Sequence, residues 1–284
     1  MKLTVKNSAK GYFFISGWII GFLVFTLIPI IRTFWFSFNR VRFTAQGIKE
    51  SFIGFLNYKN AFLMDVAFTD GLINYVGQMV VFIPVIITFS LIAAILLTKD
   101  IKGKGFFRTI FFLPVIITSG PVMKQLIEQN ATSLPGISEY FSVQELANEF
   151  GLLGNLLGTV LSSFIMILWF CGVQILIFIA AIQKLDQSMY EAASIDGASG
   201  WQSFWKLTLP ALMPVVGVNV LYTLVTLSGF SLNTIVQKIS TDMYDINRGI
   251  GYATALSVIY FGVILIILAV FMLFINGRQK KAER

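Results

Sequence analysis

The chain has no histidine and a single cysteine, Cys171, among its 284 residues. Without histidine it lacks the commonest general base and metal ligand, and no cluster of Cys, Asp and Glu takes over either role. One cysteine excludes an internal disulfide and leaves the redox compartment unread. Charge is scarce as well: Asp, Glu, Lys and Arg make up 12% of the residues, about half the share usual in soluble domains. No GxxxxGK[ST] phosphate loop occurs, so the chain is not expected to hydrolyse a nucleotide itself. Internal repeats, low-complexity tracts and a separate soluble domain are also lacking.

What the chain has in quantity is apolar surface: 56% hydrophobic residues, 28 Phe and a mean hydropathy of +0.80. Charge-free stretches cover residues 11–31, 72–98, 109–123, 151–183, 207–237 and 249–277. A helix crossing a bilayer core needs about 20 mostly apolar residues, so five of these qualify directly. The short stretch 109–123 reaches that length once Arg108 and Lys124 snorkel from its ends. The runs are continuous rather than alternating, which excludes a β-barrel. The expected fold class is an all-α integral membrane protein of six transmembrane helices. The spans fall at about 11–36, 72–98, 106–127, 153–182, 210–232 and 250–276, in one domain covering 1–284.

Orientation follows from the basic residues. With the N-terminus placed in the cytoplasm, the inner side holds 13 of the 21 Lys and Arg but only 5 of the 14 acidic residues. Cytoplasmic loops carry the excess of Lys and Arg, so both termini are expected inside a bacterial or archaeal cell membrane. The net charge of +7 is then mostly topology and makes no case for nucleic acid. The first segment starts basic like a signal peptide, yet its apolar run is too long and no cleavage pattern follows, so it is expected to stay as the first helix.

The first outer loop, about 32–71, carries FWFSF at 34–38 and FIGFLNYKNAF at 52–62. It reads as an interfacial aromatic belt with one short amphipathic helix. The second, 128–150, has four glutamates, a turn at Leu134, Pro135 and Gly136, and an amphipathic helix over 142–150 that faces solvent and could touch an external partner. The third, 233–248, is polar, with Asp242 and Asp245.

The inner segment 184–210 is the one polar, capped, helix-forming stretch in a chain otherwise written for lipid. Ser188 with Glu191 and Ser199 with Gln202 have capping-box spacing. Gly197 between them suits a left-handed turn. Two short helices at an angle are expected, joined at 196–198 and stopped by Leu209 and Pro210. Ala192, Ala193 and Ala198 keep their surfaces small enough for close approach, while Trp201, Phe204 and Trp205 add large apolar area. Lying on lipid headgroups and docking to a soluble partner are both open to such a segment.

Glu191, Ala192, Ala193, Asp196, Gly197, Ala198, Phe204, Leu209, Pro210 and Pro214 match the EAA loop of ATP-binding cassette importer permeases, with Leu207 standing where Ile is usual. Lys102, Gly103, Lys104, Gly105, Phe106, Phe107 and Arg108, followed by Phe112, Leu113 and Pro114, look like the second cytoplasmic loop of the sugar-type permeases. Pro29, Ser37, Phe38, Gly54, Asn57 and Tyr58 look like that subgroup's first helix and first outer loop. The chain thus resembles a maltose-type, binding-protein-dependent carbohydrate permease over nearly its whole length, departing between Thr118 and Gly154. The resemblance implies the type I importer permease fold and a non-enzymatic transport subunit that binds no cofactor. A separate pair of ATPase subunits would use ATP and Mg. A second, non-identical permease and an extracellular or periplasmic solute-binding protein would complete the system. It further implies that the loop sits in a groove of the ATPase, with Glu191 meeting a basic residue and Gly197 making the turn.

In such permeases the helices flanking the loop meet the sugar near mid-membrane. Met166, Trp169, Phe170 and Val173 share one face of the first, and Thr223, Thr226, Leu227 and Phe230 one face of the second, with Asn219 and Tyr222 nearby. Aromatic faces and hydroxyl or amide groups suit sugars, so Trp169, Phe170, Asn219, Tyr222, Thr223, Thr226 and Phe230 are pathway candidates. Ordinary helix packing uses the same residue types. No acid or base is expected to be buried in a span, which argues against proton or cation coupling and for an uncharged cargo. A phosphate, glycerol-phosphate or peptide cargo, or a secondary carrier, would be the competing functions.

Overall fold

The computed structural model describes residues 5–44, 47–99, 163–230 and 233–282, with scattered positions between 105 and 161. Nearly all of the third span and of the second outer loop with its expected helix, and half of 153–162, lie outside the described residues.

The first apolar run forms α1 (Val5–Phe22), a π-helical turn (Leu23–Leu27) and α2 (Ile28–Ser37). The turn has a sequence cause. Pro29 has no N–H to donate, and the wider turn, in which the Ile28 N–H reaches the Leu23 carbonyl, shifts the ladder just ahead of it. The same device recurs later, where the Leu209 N–H reaches the Phe204 carbonyl just before Pro210.

After α2 comes a β-hairpin, β1 (Asn39–Thr44) and β2 (Gly47–Phe52), antiparallel with Asn39 opposite Phe52 and Thr44 opposite Gly47. The sequence reading had no strand here. The short helix anticipated in this loop is present as α3 (Leu56–Leu63). Next come α4 (Val66–Thr98), α5 (Phe164–Ile182), α6 (Gln187–Ile195) and α7 (Gly200–Ser203). The π turn Phe204–Thr208 leads into α8 (Leu209–Ser228), followed by α9 (Thr234–Tyr244) and α10 (Gly249–Ala282). The third outer loop is therefore mostly the helix α9.

Among the described residues, four helical stretches are long and apolar enough to cross a membrane: Phe14–Ser37, Val66–Thr98, Gly200–Ser228 and Gly249–Ile275. Met166–Ile182 and Gln187–Ile195 pass the same test only when taken together across a 67° bend. The four stretches overlap four of the six expected spans, and Met166–Ile182 lies within a fifth. The bend falls where the apolar run ends and the polar inner segment begins.

Two compact units emerge. One contains residues 1–72 and 237–263, the other 73–236 and 264–284. In the first, the Asn57 amide group is the tie: its N–H bonds go to the carbonyls of Ser37 (2.9 Å), Asn39 (3.1 Å) and Gly251 (3.2 Å). Gly251 is required for closeness, because a Cβ there would overlap the Asn39 carbonyl oxygen. In the second unit, α5 packs along α8. The Tyr75 hydroxyl pairs with that of Ser228 (2.5 Å), and the Ser90 hydroxyl donates to the Cys171 carbonyl (3.5 Å), so α4 is tied to both neighbours. Ile83, Ile86, Ile167, Ile175, Phe178, Leu212 and Leu224 are fully buried in its core.

Candidate functional site: the inner loop and the α5–α8 layer

The inner loop begins with α6. Its cap is Asp186, whose carboxylate accepts the Ser188 N–H (2.9 Å) in the extended conformation an N-cap needs. The expected capping box at Ser188 and Glu191 is therefore not formed. The chain leaves α5 through residues 183–185, which puts Asp186, two residues earlier, at the helix entry. That N–H holds the Asp186 carboxyl below the ordinary carboxylate range.

α6 ends in a Schellman arrangement. The Ala198 N–H reaches the Ala193 carbonyl (2.9 Å), with Gly197 at φ +77°. No atom lies within 4 Å of where a Gly197 Cβ would stand, so glycine is needed there for its backbone angle and not for space. Ser199 then caps α7. Its hydroxyl accepts the Gln202 N–H (3.3 Å) and the Gln202 side chain returns a bond to the Ser199 N–H (2.8 Å), the reciprocal box read from the sequence.

Leu209 and Pro210 do not stop this second helix. Through the π turn it runs on into α8, with Pro210 in the first turn, where a missing N–H costs little. A bond between the Tyr190 and Thr208 hydroxyls (2.8 Å) ties α6 to this junction. Glu191, Ala192, Asp196 and Gly197 are exposed, while Ala193, Ala198, Phe204, Leu209 and Pro210 are half-buried. Ala193, Asp196, Gly197 and Ala198 face Gln202, Ser203, Lys206 and Leu207 across a concavity of about 370 Å³. Trp205 meets Trp201 and Phe204 edge-on, at 5.5 and 5.2 Å between centroids, and Trp201 and Phe204 lie tilted 6.3 Å apart. Ile195, 86% exposed, and Trp201, 71% exposed, leave large apolar area uncovered. This is a preformed, small-residue surface with exposed carboxylates at Glu191 and Asp196.

The α5–α8 layer draws together several of the pathway candidates. Phe170 and Phe230 meet edge to face, 5.4 Å apart at 90°. Thr223 is fully buried and accepts a bond from the Gln174 amide (2.9 Å). Asn219 is also fully buried, and among the described residues neither its amide N–H nor its carbonyl oxygen has a partner; the Gln174 carbonyl oxygen is likewise unpaired there. Trp169 and Tyr222 are half-buried. Thr226, also half-buried, donates its hydroxyl to the Tyr222 carbonyl of its own helix (2.8 Å). Gln174 was missed in the sequence because it lies on the buried stripe through Ile167, Phe170, Cys171 and Phe178, one step round from the aromatic face. Its polarity within an uncharged span was the available signal.

The model of the family described as "binding-protein-dependent transport system inner membrane component" matches residues 61–281, which contain the whole inner loop and the α5–α8 layer. The chain belongs to that family. It is thus a multi-pass membrane component of a transport system and not an enzyme.

This permease is 31% identical over 266 residues to the lactose transport system permease LacF of Rhizobium radiobacter, covering 88% of this chain and 82% of LacF. It is 27% identical to the multiple sugar-binding transport system permease MsmF of Streptococcus mutans, covering 93% and 94% of the two chains. A chain in the crystal structure of a bacterial ABC transporter involved in alginate import has the same fold, with a TM-score of 0.62 at 19% identity over 98% of this permease and 97% of that chain. A second structure of the alginate transporter, in complex with a pentasaccharide-bound periplasmic protein, matches at a TM-score of 0.61 and 20% identity, covering 98% and 96%.

Proposed function

We propose that this permease imports a sugar or oligosaccharide as one half of a translocation pathway, driven by separate ATPase subunits that grip the 184–210 loop. The observation that carries the reading is the loop itself. Glu191 stands exposed on α6, and Gly197 holds a positive φ at the joint with α7. Two rigid helices at a fixed angle can transmit a push, whereas a flexible loop would absorb it. ATP and Mg belong to the ATPase pair, and this chain binds no cofactor. Both termini face the cytoplasm, following the distribution of basic residues.

The cargo follows from relatives named for lactose, for multiple sugars and for arabinooligosaccharides. The α5–α8 layer supports it: aromatic rings at Trp169, Phe170 and Phe230 stand beside amide and hydroxyl groups at Gln174, Asn219, Tyr222, Thr223 and Thr226, and no charged residue is buried within the described spans. A second, non-identical permease completes the pathway. In its support, none of the apolar window in Phe14–Ser37 is buried within this chain, leaving that helix for a partner or for lipid. An external binding protein delivers the cargo.

Glu191→Lys and Gly197→Val test the docking. The first reverses the projecting charge. The second forces a β-branched residue into a left-handed turn at a cost of about 1–2 kcal/mol. Both variants should insert normally yet lose uptake and recover less ATPase on purification. Normal uptake by both would refute the assignment.

A further inference from the structure

In the first unit, β1, α3 and residues 247–252 converge on a polar pocket of about 210 Å³, lined among others by Arg40, Arg42, Asn57, Asn60 and Arg248. Its charge can be worked out group by group. Asp65 and Asp242 are matched by Lys238 and Arg248: Lys238 lies 3.0 and 3.1 Å from the two carboxylates, Arg248 2.6 and 2.8 Å. That set of four is balanced.

Arg40 and Arg42 are not part of it, and neither forms an ion pair among the described residues. Arg42 donates only to the Asn247 carbonyl (3.2 Å), leaving most of its guanidinium N–H groups unused. The hairpin register makes the excess worse. Arg40 and Arg42 share one strand face, with Ser51 and Lys49 directly opposite, while Glu50 pairs with Val41 and so stands on the other face. Like charges placed opposite each other destabilise a hairpin, so this arrangement is poor until an anion arrives. Around the pocket, Phe55, Leu56 and Met64 are 73%, 40% and 75% exposed. An arginine pair ringed by exposed apolar side chains is the composition of a protein-docking surface rather than of a free-ion site.

We propose that this pocket receives a carboxylate side chain of the external solute-binding protein, with Arg40 and Arg42 as its paired donors. This rests on the importer reading and the orientation given above, which put the hairpin on the outer face. Arginine forks grip carboxylates in two-pronged geometry, and the pocket has room for one side chain rather than for an oligosaccharide.

The test uses the complete transporter in lipid nanodiscs with its own binding protein, measuring ATPase rate against binding-protein concentration. Arg40→Gln, which breaks no bond within the chain, and the double variant Arg40→Gln with Arg42→Gln should leave the basal rate unchanged. The double variant should raise the half-maximal concentration roughly tenfold and flatten its salt dependence. Unchanged half-maximal concentration and salt dependence in both variants would overturn the pocket and leave the importer reading intact. Wild-type transporter that ignores the binding protein would overturn both. A defect that appears only in nanodiscs containing anionic lipid would assign the arginines to lipid headgroups and overturn the proposal.

Discussion

Two buried polar groupings in this permease follow opposite rules. In the first unit Asp65 is 5% exposed, and its bonding capacity is heavily used: the Phe68 N–H caps α4 on it (3.0 Å), and Lys238, Arg248 and the Tyr252 hydroxyl (2.9 Å) all donate to it. In the second unit Asn219 is fully buried and neither of its polar atoms is paired. A charge in low dielectric must be matched, or it is expelled. A neutral amide left unpaired costs only about 1–3 kcal/mol, which a fold can sustain where function requires the atoms free. The first grouping fixes the hairpin side of the molecule; the second leaves hydrogen-bonding capacity inside a pair of membrane helices. Structure and transport should therefore respond to opposite substitutions.

The largest effect should come from Asp65→Asn. It keeps the shape but leaves Lys238 and Arg248 with Asp242 alone. Removing one member of a buried ionic group costs about 3–5 kcal/mol, and partial exposure of Lys238 and Arg248 brings this to roughly 3 kcal/mol. The melting temperature in detergent should fall clearly, and a Lys238→Met, Asp65→Asn pair should recover part of the loss. An unchanged melting temperature would mean that the ionic set contributes nothing to stability.

Asn219→Leu should do the reverse. It removes two unpaired polar atoms at nearly constant volume, so the melting temperature should hold or rise by the equivalent of about 1 kcal/mol. Uptake by the complete transporter should fall about tenfold if the free amide serves the cargo. Gln174→Leu should behave alike, though less cleanly, since it also frees the Thr223 hydroxyl. Full uptake by both variants would reduce the layer to helix packing.

This contrast also marks what could be read from the chain. Four spans were legible because hydrophobic run length is a local property, and the Ser199 and Gln202 box because both partners lie within one turn. Gly197 was legible as a turn because its signal is glycine between two helix formers. The Asp186 cap was missed because Asp186, Ser188 and Ser199 are all acceptable caps and only the exit path of α5 chooses among them. The hairpin was missed because the sequence between its two strands, Ala45 and Gln46, lacks the Asn-Gly or Asp-Gly signal of a two-residue loop. The ionic set was beyond reach. Asp65 and Arg248 are separated by 183 positions, and nothing near either one announces the other.

Acid should separate the two groupings with the smallest effect. Burial raises the Asp65 carboxyl, but bonds from Lys238, Tyr252 and the Phe68 N–H outweigh it and hold it below its ordinary 3.8. Asp245 is held low by the Asn247 and Arg248 N–H groups. A carboxyl depressed in the folded state binds fewer protons there than in the unfolded chain. Its contribution is therefore complete above about pH 3.8 and is lost as pH falls through the lower native value. From pH 7 down to about 5, the protection of amides at residues 65–69 and 247–252, taken as the exchange rate relative to an unstructured chain at the same pH, should not change. Below about pH 4 that protection should fall, while residues 174 and 219–223, which carry no carboxyl, keep theirs. Asp65→Asn should already exchange faster at pH 7 and show a smaller acid response. Equal acid sensitivity in both regions of the wild type would mean that the paired carboxylates do not set the stability of the hairpin side.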